Sequence, residues 1–150
     1  MFIINILLSL LLFIPYNLAL SYMGVKRSIK ETLIPTVLFS MIAFTSKIIF
    51  NAPSVIQTLV LVLICTVLIW AFNKVNLLLS VIGSLLSFIT LVLGSLLLVC
   101  PLFNNLGIQI PKETDGANWI FLNLAEYIVP LLVLFFLNLK KLPMVKVINK

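Results

Sequence analysis

The residues able to do chemistry in this sequence are few, and that scarcity is informative. The acids are Glu31, Glu113, Asp115 and Glu126, and histidine is absent. The usual general base, metal ligand and pH switch is therefore missing. Of the four acids, Glu126 alone sits inside a long apolar run. An ionised carboxylate in such a setting needs a cation, a water-lined cavity or a proton. Lys47 is the cation placed to meet it. If helices begin at Leu33 and Asn118, Lys47 lies about 21 Å along one and Glu126 about 12 Å along the other. In a hydrocarbon core about 30 Å thick, antiparallel helices would bring them to similar depth in the outer half. Lys47, Glu126 and Asn123 are therefore expected to form one outward-facing polar or ligand pocket. Two alternatives stand beside the ion pair: Lys47 snorkels to the interface, or Glu126 is protonated and bonds to Asn123 or to a Ser or Thr. Pro130, four residues beyond Glu126, removes the helical partner of the Glu126 carbonyl. It is either a kink that adds a carbonyl to the polar spot or an ordinary membrane-helix proline.

Other chemistry is excluded or bland. No Walker A loop, dinucleotide glycine motif, nucleophile elbow or zinc motif occurs. Neither a catalytic residue set nor a metal or cofactor site is expected. Cys65 and Cys100 each lie in apolar runs without metal-ligand spacing, and read as small buried residues. Ser80, Gly83, Ser84, Ser87, Thr90, Gly94 and Ser95 recur at three- and four-residue spacing. Such a small-residue face lets helices approach closely, within the monomer or between copies in a homo-oligomer.

The elements that must hold these residues follow from composition. The chain has 150 residues, of which 63% are hydrophobic and 9% charged. Mean hydropathy is +1.29. Soluble domains carry about 25% charged residues, so a soluble enzyme and a nucleic-acid-binding domain are both excluded. The expected fold is all-α: a polytopic integral membrane protein of the cell membrane, with the lipid bilayer as its first partner. Continuous apolar runs exclude a β-barrel. With about 20 residues per span, the runs give five helices, at about 2–23, 33–50, 55–72, 75–103 and 118–139. The N-terminal run has no basic region before it and is read as a span, not a cleaved signal. Residues 140–150 form a basic tail.

Orientation follows from the basic residues. Lys26, Arg27, Lys30, Lys74, Lys140, Lys141, Lys146 and Lys150 fall on one side of a five-span chain, and Lys47 and Lys112 on the other. The positive-inside rule puts the N-terminus outside and the C-terminus in the cytoplasm. The polar loop from Leu106 to Ala117 then faces outward. The net charge of +6 serves topology and anionic headgroups, not nucleic acid.

A resemblance rests on the order of these pieces. An apolar helix leads into Gly24-Val25-Lys26-Arg27-Ser28-Ile29-Lys30-Glu31-Thr32-Leu33-Ile34, and a second helix ends near Lys47. A short polar turn opens Ser54-Val55-Ile56-Gln57-Thr58-Leu59-Val60-Leu61-Val62-Leu63. The break Asn73-Lys74 follows, then a long helix ending at Pro101-Leu102. Over about residues 1–140 this resembles the N-terminal membrane sensor region of bacterial histidine kinases of the accessory-gene-regulator and sporulation-phosphotransferase type. The resemblance implies a signal-input module, with a histidine kinase or another membrane protein as partner. It departs from those kinases in having no phosphoacceptor histidine and no ATP-binding domain within its residues. A stand-alone input domain, a partner or decoy of a kinase, and a truncated product all remain open. The expected function is thus a non-enzymatic membrane sensor or regulatory module. The alternative is a small transport component or substrate-binding subunit.

Overall fold

A computed structural model describes residues 11–25, 28–50, 54–105, 107 and 117–140, with some side chains at helix ends excepted. Every regular element among the described residues is a helix. The α-helices are α1 (Phe13–Tyr22), α2 (Ile29–Phe50), α3 (Ser54–Asn73), α4 (Leu77–Gly94), α5 (Cys100–Asn105), α6 (Ala117–Glu126) and α7 (Ile128–Lys140). A π-helical turn, Ser95–Val99, joins α4 to α5 without interruption. Among the described residues, two stretches are long and apolar enough to cross a membrane: Ile56–Asn73, and Leu77–Asn105 with its 29 residues. At about 1.5 Å per residue the latter exceeds the thickness of a hydrocarbon core.

Helix boundaries follow local chemistry. α2 begins four residues before the apolar run expected at Leu33, because Ser28 and Glu31 form a reciprocal capping box. Glu31 Oε2 accepts from the Ser28 amide at 3.1 Å, and Ser28 Oγ accepts from the Glu31 amide at 3.4 Å. Pro35 then falls within the helix rather than in the first turn of one starting at Leu33. α4 begins after Asn76, whose side chain accepts from the Leu78 amide at 3.0 Å. The run expected as one helix over 118–139 is broken at Tyr127 into α6 and α7. The first expected span is helical from Phe13 to Tyr22, and its earlier part lies outside the described residues.

The packing inverts that of a soluble protein. α1 is buried almost all round, with Tyr16, Leu18 and Ala19 fully enclosed. It packs on α4, α7 and α2, while α3 lies along α4 and α2 along α3. Interior positions are often polar: Thr32, Thr36 and Ser40 on α2, Thr66 on α3, and Ser80, Ser84 and Ser87 on α4 are all buried. Exterior positions are apolar: Met41 is 63% exposed, Leu63 65% and Leu97 74%. Several hydroxyls are satisfied locally, as in Thr36 to the Thr32 carbonyl at 2.6 Å and Thr66 to the Val62 carbonyl at 2.9 Å. This suits a surrounding solvent that accepts methyl groups and offers no hydrogen bonds.

The small-residue face of α4 does its work inside the monomer. Ser87 Oγ donates to the Pro15 carbonyl at 2.6 Å, and Thr90 Oγ1 lies 2.6 Å from the Tyr22 hydroxyl. A Cβ on Gly83 would stand 2.9 Å from Met23 Sδ and 3.0 Å from the Ala19 carbonyl oxygen. Cys65 is fully buried in the main core, beside Ser84, whose hydroxyl makes no well-formed hydrogen bond. Asn73 Nδ2 donates to the Tyr16 hydroxyl at 3.3 Å and pins the end of α3 to the central helix.

Candidate functional site

The site grows out of two helix breaks that face each other. Pro130, fully buried near the start of α7, has no amide to give the Glu126 carbonyl. The helix gives way just there: the Tyr127 amide turns back to the Leu124 carbonyl at 3.2 Å, and the helix resumes with the Leu131 amide on the Tyr127 carbonyl at 3.0 Å. On the opposite rod, Gly94 and Ser95 are followed by Pro101. A glycine–serine pair and a proline are both known causes of helix distortion. Here the turn between them widens to the π form, with the Cys100 amide reaching back five residues to the Ser95 carbonyl. Such π turns are often found at functional sites.

Gly94 brings the two breaks together. A Cβ there would lie 2.9 Å from the Val129 Cβ and 3.4 Å from Pro130 Cδ. At this approach Ser95 Oγ donates to Glu126 Oε1 at 3.2 Å, linking the π turn to the end of α6. Both side chains are half-buried. On one side of the link lies the main core of α1 to α4. On the other is a small cluster of Val99, Phe103 and Ala125, with the Phe103 and Phe121 rings 6.2 Å apart. The Ser95–Glu126 bond thus sits at the junction of two packing units.

The expected site residues fare differently. Glu126 takes part in a polar junction, with the Ser95 hydroxyl as its partner among the described side chains. Asn123 lies on α6, one turn before Glu126, and Lys47 lies in the last turns of α2. Their side chains fall outside the described residues, and so does the expected Lys47–Glu126 pairing. α2 packs chiefly on α3 and α1, whereas α6 packs on the π turn, α7 and α4. The polar loop expected to share the pocket lies mostly outside the described residues. No cluster of metal-ligating side chains occurs among the described residues.

In the sequence, Ser95 reads as one more small residue of the α4 face and Pro101 as a helix end. The signal that could have distinguished them was Gly94-Ser95 followed by Pro101. It places a break opposite the one that Pro130 forces. No family model, curated protein or solved structure matches this chain.

Proposed function

We propose that this chain is a multi-pass protein of the cell membrane that works as a non-enzymatic sensor or regulatory input module. Glu126 and Ser95 form the latch of its moving part. The carrying observation is the pair of facing breaks joined by one hydrogen bond. A continuous helix resists bending, whereas π turns and proline breaks concentrate bending at one level. An external ligand that preferred the open or closed latch would shift the equilibrium between them and move α6 and α7 relative to the main core. The five-span arrangement, with a cytoplasmic basic tail, would carry that movement to an inner partner. A histidine kinase fits the resemblance drawn above.

Spin labels test the latch. With Cys65 and Cys100 replaced by alanine, labels at Leu97→Cys and Phe121→Cys report across the junction, since both positions are exposed. In lipid nanodiscs, Ser95→Ala and Glu126→Gln should each shift or broaden the distance distribution. An unchanged narrow distribution in both would refute a latch.

Transport is the second reading. Discontinuous helices form substrate sites in secondary transporters, and carboxylates within membrane helices mark substrate or proton pathways. Substrate-dependent flux through liposomes containing this protein alone would overturn the sensor reading and favour transport.

A further inference from the structure

The turn between α3 and α4 is a rigid platform for one lysine. Asn73 is buried and tied to the Tyr16 hydroxyl at 3.3 Å. Val75 is buried in the main core, and Asn76 is occupied in capping α4. Lys74, between these fixed neighbours, is exposed and has φ of 52°. Glycine or asparagine takes that left-handed conformation at lower cost than lysine does. The lysine borders an open groove of about 820 Å³, lined by Trp70, Ala71, Lys74, Val75, Asn76 and Leu77. Trp70 is 52% exposed on the last turn of α3.

The groove's position gives its chemistry. It lies where the apolar stretch Ile56–Asn73 ends and Leu77–Asn105 begins. In a bilayer this is the interface, where tryptophan rings settle at headgroup level. The amino end of α4 adds the positive end of a helix dipole. No acidic side chain lines the groove. Lys74 and the amino end of α4, with no acid in the lining, select an anionic occupant, and the apolar side chains of Trp70, Val75 and Leu77 beside them select one that carries acyl chains.

We propose that the groove is a binding site for an anionic phospholipid, with Lys74 holding the headgroup phosphate and Trp70 packing against the glycerol and upper acyl chain. The site is separate from the Ser95–Glu126 latch and rests on the membrane reading alone. Lys74 in this groove acts as a fixed point charge, with an expected preference of about five-fold for one anionic over one zwitterionic headgroup.

Trp70 supplies the readout. With Trp119→Phe it is the remaining tryptophan. The protein in nanodiscs is titrated with phosphatidylglycerol or phosphatidylcholine, each brominated in the upper acyl chain. Saturable quenching should favour phosphatidylglycerol about five-fold. Lys74→Gln should abolish that preference, and Lys74→Arg should keep it. Lys74→Gly should also abolish it while relieving the backbone, which separates charge from folding. Lys150→Gln, the same charge change elsewhere, should leave it intact. Equal quenching by both lipids, or a preference that survives Lys74→Gln, would overturn the site. Displacement by soluble glycerol phosphate would overturn the assignment to a lipid. Absence of quenching by either lipid would instead overturn the membrane reading itself.

Discussion

Replacing Gly94 with alanine tests whether close approach of α4 and α7 sets the Ser95–Glu126 bond. The new Cβ would begin 2.9 Å from the Val129 Cβ, an atom fixed to the α7 backbone, and 3.4 Å from Pro130 Cδ. Relief to an ordinary carbon–carbon contact of about 3.5–4.0 Å requires the helices to part by roughly 1 Å. The hydrogen bond starts at 3.2 Å, so the same movement takes it beyond useful length. Overpacking costs about 1–3 kcal/mol. Loss of an interhelical hydrogen bond in a membrane protein adds about 0.6 kcal/mol, at most about 1.7. Alanine's better helix propensity returns about 1 kcal/mol. The net expectation is a destabilisation of about 1–3 kcal/mol. The assay is equilibrium unfolding in mixed detergent micelles, followed by circular dichroism, as a cycle with Ser95→Ala. Ser95→Ala alone should cost about 0.6 kcal/mol. The double variant should cost no more than Gly94→Ala, because one bond cannot be lost twice. Additive losses, or a Gly94→Ala variant at least as stable as the parent, would refute the close-approach argument.

Three further outcomes are expected. Gly83→Ala should destabilise by about 1–2 kcal/mol in the same assay. Its Cβ meets the Ala19 carbonyl oxygen at 3.0 Å as well as the more pliable Met23 side chain. Ser28→Ala should cost about 1 kcal/mol by removing half of the capping box. Faster amide exchange should be confined to the first turn of α2, and uniform exchange change along the helix would count against the cap. Reporter fusions within 106–117 should read as external and fusions at the tail as cytoplasmic; a cytoplasmic signal from the 106–117 loop would reverse the proposed orientation.

Some of this architecture was readable from residue order. Both ends of α3 and the start of α4 fall within two residues of the apolar runs because Ser54, Asn73 and Asn76 interrupt them. Ser28-Ile29-Lys30-Glu31 carried the true start of α2 in plain view, as a serine with glutamate three residues on. The apolar run, which begins only at Leu33, places the start four residues late. Hydropathy reports where greasy residues are, whereas a capping box reports where a helix starts.

Composition pointed to an apolar outer surface, since 9% charged residues are too few to clothe a water-soluble globule, and the unbroken length of the apolar runs pointed to helices. It also singled out Glu126, because a carboxylate in an apolar run is conspicuous whatever surrounds it. Tertiary structure decided the rest. It brought Ser95 to Glu126, turned the small-residue face of α4 toward α1, and set two helix breaks at one level. Those outcomes depend on which rods pack together and how closely. Gly94 and Pro130 show why: 36 positions apart in the chain, they meet only because burying α1 between α4 and α7 brings those helices into contact.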